Sequence, residues 1–551
     1  MRKMGRSPLA AIWVSAFLSA GSVLAAGPDG APAVQRRNAT SPLGTNLEWV
    51  RDFSEGWIFV DAFRASRPWV SGTASEWQDS RELKLDAAGW IASLEPGQVA
   101  RTMVLTATRA YPDGDYVVLY EGEGSIQYGG AGIYDAGQSR PGRHVLRVDP
   151  ARRGILIALT ATNPANPLRN IRVIMPGGSC AGDPFRYASD PTKCAGVGPY
   201  RSFEADYATI LFHPRLLESL RTYRVIRFMN WGRTNNSRQV TWSDRPKLSD
   251  ARWSTEKGVP IEVMVGLANR LGADAWFTLP HRADDDYARQ AARLVNRLLR
   301  KELKAYVEYS NEVWNGQFQQ ASYARAHGTA LGLSRNPFQA QLFFYSKRSV
   351  EIFDIWAGEL GEGKRLARVM AAAAANAWSS IQVLDHQNAS RKTDALAIAP
   401  YFGNALGSPA EQARVQAMSL DALFAELETV ALAKAVEMIR SHAAVARARG
   451  LPLIAYEGGQ HLVGFGGTEN NAAINALFDQ ANRDPRMGEI YRKYLDSWKA
   501  SGGTLLVHFL HIGPFAKSGR WGALEYQEQP RAAAPKFNAL QAFIERNPAW
   551  W

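Results

Sequence analysis

Two glutamates in this 551-residue chain stand where short β-rich segments end. Glu312 lies in Tyr-Ser-Asn-Glu-Val-Trp-Asn, residues 309–315, and Glu457 lies in Tyr-Glu-Gly-Gly-Gln-His, residues 456–461. Cleavage of a glycosidic bond requires two carboxyl groups, of which one protonates the leaving oxygen and the other attacks the anomeric carbon or activates water. A lone glutamate at a strand end usually forms a salt bridge or a helix cap, so this chemistry requires a fold that brings the two together.

The elements that could bring them together are strands that alternate with helices from about residue 206 onward. One amphipathic helix follows Asp284, and another runs from about 421 to 449 and stops at Gly450. Seven β-rich segments lie at 224–230, 275–280, 305–310, 367–371, 395–401, 452–457 and 504–510. An eighth candidate strand is 58–64. Eight such units predict an α/β fold of the (β/α)8 TIM barrel class, which would gather the strand ends at one rim.

The stretch before these units has a different pattern. Residues 76–176 contain short alternating or apolar runs separated by turn signals such as Pro112-Asp-Gly, which is typical of an all-β sandwich. The predicted organisation is a signal peptide at 1–25, a first barrel strand region at 40–75, the inserted β-sandwich domain at 76–176, and the remainder of the catalytic barrel at 177–551. A doubly wound sheet is the alternative, but no glycine-rich phosphate loop opens a helix.

The first residues predict export. Arg2, Lys3 and Arg6 precede an apolar stretch from about residue 9 to 24, and Val-Leu-Ala at 23–25 resembles a signal-peptide cleavage site. A membrane anchor is the alternative, which the serines and the glycine within the short apolar stretch disfavour. We therefore expect a secreted or periplasmic protein that has no membrane contact after cleavage.

Cysteine usage indicates the compartment of the protein, and its charge limits the classes of partner that it could bind. Cys180 and Cys194 lie in a polar loop, where a disulfide fits an oxidising compartment; a pair of free thiols is the alternative. The chain has a formal net charge of +12 but no block of lysines and arginines, so we expect no nucleic-acid partner, no metal and no cofactor. Seventeen tryptophans suit stacking on sugar rings, although large cores also use tryptophan. We expect a monomer that binds a polysaccharide or oligosaccharide.

The local motifs support a family resemblance. The Asn311-Glu312 dipeptide after the fourth segment and Glu457 after the seventh resemble the clan A glycoside hydrolases, a superfamily of retaining barrels, over about residues 206–530. The local sequence Glu-Tyr-Ser-Asn-Glu-Val-Trp-Asn at 308–315, with Arg-Phe-Met-Asn-Trp earlier in the chain, resembles segments of bacterial secreted proteins that are loosely labelled cellulose-binding. The resemblance implies a β-glycoside substrate without specifying the sugar.

The resemblance also implies roles for individual residues. Glu312 matches the general acid/base, Glu457 the nucleophile, and Asn311 the residue that hydrogen-bonds the sugar 2-hydroxyl. Arg227 matches the arginine that holds the nucleophile ionised, because a nearby cation lowers the pKa of a carboxyl group. Alternatively, Arg227 pairs with Glu308 inside the fourth strand.

Further residues match with less specific motifs. Tyr401 matches a tyrosine that hydrogen-bonds the nucleophile, and His281 matches a sugar-binding histidine; either could instead be a packing residue. The eighth strand departs from the family pattern, because no tryptophan ends it. Trp521, on the following loop, could fold back to replace that sugar-binding ring, or His508 and His511 could form the rim.

Several tryptophans are candidate stacking platforms, with ordinary packing as the alternative for each. They lie at or near predicted strand ends and are Trp231, Trp242, Trp314 and Trp378. Asp61 and Arg64, in the candidate first strand, are further candidates for the rim.

Retaining hydrolysis of a β-linked polysaccharide or oligosaccharide by double displacement is the leading hypothesis, and a transglycosylase would use the same site. The alternative from another class is a non-catalytic polysaccharide-binding protein on a decayed barrel, which the presence of both carboxylates and Asn311 disfavours. A metal-dependent hydrolase is disfavoured because His508 and His511 would point to different faces of a strand and turn.

Overall fold

A computed structural model describes residues 38–107, 111–361 and 363–551. The predicted signal peptide at 1–25 lies outside the described residues. Within them, no helix combines the length and apolar character needed to cross a membrane.

Eight parallel strands close into a barrel in chain order, as the sequence predicts. The strands are Leu43–Asn46, Val225–Arg227, Asp274–Leu279, Ala305–Tyr309, Leu366–Ala371, Ala395–Ile398, Leu453–Ala455 and Gly503–His508. The first strand pairs with the second and with the eighth, which closes the barrel. Because both faces of each strand are covered, the strand residues are almost all buried, and a separate apolar cluster fills the barrel interior. The fold is therefore a (β/α)8 TIM barrel.

The first barrel strand is not the segment expected from the sequence. The expected strand at 58–64 instead makes isolated bridges through Phe59 and Asp61 and then a short 3-10 helix, Ala62–Ala65. The real strand contains Gly44, where a Cβ atom would lie 2.6 Å from the Val225 carbonyl oxygen, so only glycine permits this close approach.

As a consequence, Asp61 and Arg64 do not lie at the barrel rim. Asp61 accepts hydrogen bonds from the Val173 amide and from Arg172 on the sandwich side of the chain. Arg64 donates to the Asp250 carbonyl and lies over the Trp253 ring. Both residues join the sandwich to the barrel.

Helices surround the barrel and connect its strands. The helix after the third strand, Asp285–Leu298, begins where the Asp284 carboxylate caps the Tyr287 amide at 2.7 Å, and it buries one apolar face. The predicted helix at 421–449 contains one π-helical turn, Leu427–Ala431, between two α-helical parts. The α-helices are Phe203–Asp206, Pro214–Leu220, Ile261–Leu271, Asp285–Leu298, Gln319–Ala330, Pro337–Leu360, Ala377–Asp385, Gln412–Gln416, Leu420–Glu426, Leu432–Arg447, Ala472–Arg483, Pro485–Ala500 and Pro535–Arg546.

An all-β sandwich is inserted after the first barrel strand. One antiparallel sheet contains Val70–Gly72, Val99–Val104, Ile155–Thr162 and Gly124–Gly130 in that order. The other contains Arg169–Ile174, Gly114–Glu121, Arg143–Val148 and Gly132–Arg140. Their inner faces share a core that is distinct from that of the barrel. The exact boundaries 76–176 stay a prediction.

A small three-stranded sheet leads from the sandwich back to the barrel. Its strands are Gly178–Cys180, Asp183–Ala188 and Tyr200–Ser202. The predicted disulfide is present between Cys180 and Cys194 and closes this segment. A two-stranded sheet, Lys84–Leu85 with Ile91–Ser93, completes the β-structure of the described residues.

Candidate active site

Glu457 follows the seventh strand and is held by two hydrogen-bond donors. Arg227 Nη1 donates to Oε1 at 2.9 Å, and the Tyr401 hydroxyl donates to Oε2 at 2.9 Å. Each oxygen of the carboxylate therefore has its own donor, which fixes the orientation of the side chain. The barrel thus brings together three residues that the sequence assigned to one site.

Burial dominates the acidity of Glu457. Burial raises its pKa to about 7, Arg227 and the Tyr401 hydroxyl oppose the rise, and the charges of Glu312 and Glu308 add to it. The sequence-based expectation was that Arg227 keeps this carboxyl group ionised. Arg227 does oppose protonation, but its effect is smaller than that of removing the carboxylate from water.

Arg227, the last residue of the second strand, is fully buried and serves several acceptors. It bonds Glu308 Oε2 from Nη2 at 2.9 Å and from Nε at 3.2 Å, so it pairs with both candidate partners. It also donates to Asn311 Oδ1 at 2.8 Å and to Asn46 Oδ1 at 3.2 Å. Burial works against its charge, but Glu308 and Glu457 together raise the pKa of Arg227.

Glu312 has its own pair of donors. The Tyr456 hydroxyl donates to Oε1 at 3.0 Å, and Asn315 Nδ2 donates to Oε2 at 2.8 Å. The backbone of Glu312 has φ +45°, and that of Ser310 has φ +58°, both in the left-handed region. Such backbone strain costs on the order of 1–3 kcal/mol per residue and is concentrated at functional sites.

Asn311 is fixed between two loops. Its Oδ1 accepts from Arg227, and its Nδ2 donates to Asn235 Oδ1 at 3.0 Å. Gln320 Nε2 donates to the same Asn235 oxygen at 2.7 Å and to the Asn311 carbonyl at 2.8 Å. Since an amide nitrogen carries two hydrogens, one N–H of Asn311 remains for a ligand.

A cleft of about 610 Å³ opens on the side of strands four to seven. Glu312, Tyr401 and Trp314 all lie on its surface. The Trp314 ring packs against Tyr345 and Tyr456, with ring centres 6.0 and 6.1 Å apart. Trp314 therefore lies on the cleft surface, and its contacts with these two tyrosines are those of ordinary packing. The cleft is also lined by Ala373–Ala375, Ala399, Phe402–Leu406, Val430, Ala431, Lys434, Met438 and His461.

Trp521 folds back towards the site from the loop after strand eight. Its ring centre lies 5.6 Å from that of Tyr401, 4.8 Å from that of His461 and 5.9 Å from that of Phe509. Phe509, directly after the eighth strand, is partly exposed at this point. Trp521 therefore lies beside the tyrosine that bonds Glu457.

Two contacts fix the loop that carries Trp521. The carbonyl oxygen of Arg520 accepts from Gln460 Nε2 at 2.7 Å and from Lys536 Nζ at 2.5 Å. Lys536 is almost fully buried, and burial lowers its pKa well below the ordinary value. Gln460 belongs to the same loop as Glu457, so the two loops are joined directly.

The two histidines of strand eight do not form the rim. His508 Nε2 meets the Tyr491 hydroxyl at 3.2 Å, and His511 Nε2 meets Ser219 Oγ at 2.8 Å. Both side chains are buried, and burial lowers the pKa of each. The alternative in which they form the rim is wrong, because both side chains face the surrounding helices that carry Tyr491 and Ser219.

Three predicted stacking tryptophans lie outside the site. Trp231 is 1% exposed and packs against Phe59 and Phe228 in the barrel core, so it offers no free face. Trp242 packs edge-on against Tyr287. Trp378 is 40% exposed at the start of the helix after strand five and packs against Phe338 rather than against a residue of the site.

His281 lies near the rim but apart from the two glutamates. It is 4% exposed, its ring meets Tyr323 edge-on at 5.2 Å, and it lines a separate cavity of about 560 Å³ with Arg348. Burial, with a contribution from Arg282, lowers the pKa of His281 to about 4 and keeps the ring neutral.

Sequence reasoning missed five residues that complete the site. They form hydrogen bonds with the assigned residues and are Asn46, Asn235, Asn315, Gln320 and Tyr456. Asn315 and Tyr456 stand three residues and one residue from the two glutamates, so proximity in sequence was a usable signal. Asn46 ends a strand that the sequence pattern did not reveal. In residues 38–107, 111–361 and 363–551, no group of three or more His, Cys, Asp or Glu side chains is arranged to hold a metal ion.

No protein-family model matches this chain, and no curated protein matches it. Among solved structures, it is similar to a GH51 arabinofuranosidase from Xanthomonas axonopodis pv. citri, at 12% identity and TM-score 0.38, covering 61% of this chain and 66% of that one. It is also similar to an endo-β-1,4-mannanase from Cellulomonas fimi, at 12% identity and TM-score 0.32, covering 58% and 63%. A GH5-4 broad specificity endoglucanase from an uncultured bacterium matches at 13% identity and TM-score 0.32, covering 59% and 84%. The chain spans less than two thirds of the length of the first two structures.

Proposed function

We propose that this protein is a retaining glycoside hydrolase that acts on a β-linked polysaccharide or oligosaccharide. The observation that carries the proposal is the different setting of the two glutamates. Glu457 is buried between a cation, Arg227, and a tyrosine hydroxyl, whereas Glu312 lies on the cleft surface with neutral donors. Two carboxyl groups in different environments suit the two roles of glycoside cleavage.

The two settings also favour one assignment of roles. Glu457 accepts a hydrogen bond from the Arg227 guanidinium, and a neighbouring cation stabilises a carboxylate over a carboxylic acid. Glu312 lies on the cleft surface, where a leaving oxygen can reach it. We therefore assign the nucleophile to Glu457 and the general acid/base to Glu312.

The proposed reaction follows from these roles. Glu457 attacks the anomeric carbon, the glycosidic C–O bond breaks, and the leaving oxygen takes the proton from Glu312. Water then attacks the anomeric carbon of the glycosyl-enzyme, Glu312 accepts a proton from it, and Glu457 leaves as a carboxylate. Two displacements at the same carbon retain its configuration.

Four further residues have proposed roles in substrate binding. Asn311 has one N–H remaining for the sugar 2-hydroxyl, and Tyr401 orients the nucleophile. Trp314 on the cleft surface and Trp521 beside Tyr401 offer aromatic rings for the apolar faces of sugars. We do not extend this role to Trp231, which the core encloses.

We also propose that the protein acts outside the cytoplasm. A disulfide between Cys180 and Cys194 persists in oxidising compartments and is rare in reducing ones. The predicted signal at 1–25 agrees with export.

The test is covalent labelling with 2-fluoro glycosides of several sugars, followed by peptide mapping. We expect one label on the peptide that contains Glu457, and none in Glu457→Gln. A reducing-sugar screen over a polysaccharide panel should show release by the wild type and by Glu437→Gln, an exposed control, but not by Glu457→Gln. Tight glycan binding without labelling or release by the wild type would establish a binding protein instead.

A further inference from the structure

A second group of charged side chains lies at the barrel mouth, after strands one and two. The guanidinium carbon of Arg233 lies 4.5 Å from the centre of the Trp49 ring, and that of Arg51 lies 5.1 Å from the same centre. Arg51 also lies 5.2 Å from the centre of Phe53. Aromatic faces hold guanidinium groups in place without neutralising their charge.

Neither of these two cations has a carboxylate oxygen within ion-pair distance among the residues that the structure describes. Glu48 interacts with Arg51, and Glu256 with Arg233, through their charges alone. The two side chains make one hydrogen bond there, from Arg233 Nε to the Thr255 carbonyl at 3.1 Å. Burial, and then the charge of Arg51, lower the pKa of Arg233, whereas the charge of Glu256 raises it. Both guanidinium groups thus contact the Trp49 ring with most of their N–H donors unused.

The loop that carries Arg233 is held rigidly. Arg233 has φ +49°, in the left-handed region that side chains other than glycine rarely adopt. A Cβ atom on Gly258 would lie 2.2 Å from the Trp231 carbonyl oxygen and 3.1 Å from Arg233 Cγ, so the two segments approach closely at this point. The surrounding structure thus imposes a strained conformation on Arg233, as is common at binding sites.

Both loops are connected to the proposed catalytic residues. Asn235, two residues after Arg233, accepts a hydrogen bond from Asn311, which precedes Glu312. Trp49 follows Asn46 by three residues, and Asn46 accepts a hydrogen bond from Arg227. The charged group therefore flanks the catalytic pair on the side opposite the cleft of strands four to seven.

We infer that Trp49, Arg51 and Arg233 form a subsite for an anionic sugar of the substrate chain. This inference rests on the proposed function, because it extends the substrate of that site along the barrel mouth. The anion is the carboxylate of a uronic acid or a sulfate ester, since the planar fork of a guanidinium matches the oxygens of both. One anion between the two arginines would also remove their mutual repulsion, and the net charge of +12 favours encounter with a polyanion.

The test measures binding rather than turnover. Calorimetric titration of full-length Glu457→Gln uses size-matched oligosaccharides of three kinds: polyuronate, sulfated and neutral. We expect one anionic kind of oligosaccharide to bind at least tenfold more tightly than the neutral kind. Tighter binding of polyuronate identifies the bound anion as a carboxylate, and tighter binding of the sulfated chain identifies it as a sulfate ester. Adding Arg51→Gln with Arg233→Gln should weaken that binding roughly tenfold to hundredfold, as expected for lost hydrogen bonds to a charged group.

Two controls keep the result specific. Arg238→Gln removes an exposed positive charge from the same loop and should change the affinity less than about twofold. Arg51→Lys with Arg233→Lys keeps both positive charges but removes the planar guanidinium groups that can donate two parallel hydrogen bonds. This variant should give an intermediate affinity. Retained affinity in the double glutamine variant, equal binding of neutral and anionic chains, or no binding of any anionic chain overturns the inference. Selective anion binding without labelling of wild-type Glu457 would instead refute the proposed function alone.

Discussion

Glu457→Gln should stabilise the protein, and more strongly at alkaline pH than at acidic pH. The pKa of Glu457 in the folded protein is about 7, against an ordinary value of 4.5. As the pH rises between these values, the unfolded chain loses its proton while the folded chain keeps it, so the folded state loses stability. Above pH 7 both states are ionised and the loss stays constant.

The magnitude follows from the shift. A raised pKa of this size corresponds to about 3 kcal/mol at about pH 8 and about 1 kcal/mol at about pH 5, by proton linkage at 1.36 kcal/mol per unit. Glutamine has the shape of the protonated acid and cannot ionise, so the variant avoids this loss. We expect Glu457→Gln to raise the free energy of unfolding by these amounts relative to the wild type.

The assay is urea unfolding followed by tryptophan fluorescence at both pH values. Glu437→Gln, at an exposed position of the helix Leu432–Arg447, is the control and should stay within about 0.5 kcal/mol of the wild type at each pH. If Glu457→Gln destabilises the protein at pH 8, or shows the same difference at both values, then Arg227 outweighs burial and the reasoning is wrong.

Three more changes test other contacts. Tyr401→Phe removes one hydrogen bond to the proposed nucleophile and should lower kcat by roughly tenfold to hundredfold with little change in KM; an unchanged kcat in steady-state kinetics would contradict this. Lys536→Met leaves the Arg520 carbonyl with one donor fewer, so it should cost about 1–3 kcal/mol in urea unfolding and raise KM more than it lowers kcat; a loss confined to kcat would argue against a role through the Trp521 loop. Cys180→Ser with Cys194→Ser opens a loop of sequence separation 14 and should lower the free energy of unfolding by about 3 kcal/mol, whereas a cost near zero would mean that the loop is held by other contacts.

The barrel could be predicted because its strands carry a strong local signal. Strands two to eight are short apolar runs that end in polar or aromatic residues, as buried parallel strands do. The first strand, Leu43–Asn46, has four residues of which one is glycine, so its apolar run is too short to recognise. Its position depends on pairing with strands two and eight, which lie far away in the sequence.

Some residues of the candidate site could likewise be predicted from the sequence, and others could not. Residues within or next to strand ends, such as Arg227 and Tyr401, could be placed because the barrel fixes where strand ends meet. The return of Trp521 could not, since it depends on Gln460 and Lys536 meeting the carbonyl before it. The raised pKa of Glu457 was also beyond the sequence, because burial is a property of the whole fold.

Arg227 has a consequence for how the barrel mouth moves. Its guanidinium joins the end of strand two to acceptors on or just after strands one, four and seven. Displacing any one of these strand ends would remove a hydrogen-bond partner from a buried charged or polar group, at a cost of about 1–3 kcal/mol. These four strand ends should therefore fluctuate together as one cooperative unit, with similarly slow amide hydrogen exchange. No hydrogen bond joins Trp521 to Arg227 among the described residues, so under the proposed function the sugar that is bound could change while the proposed catalytic residues keep their positions.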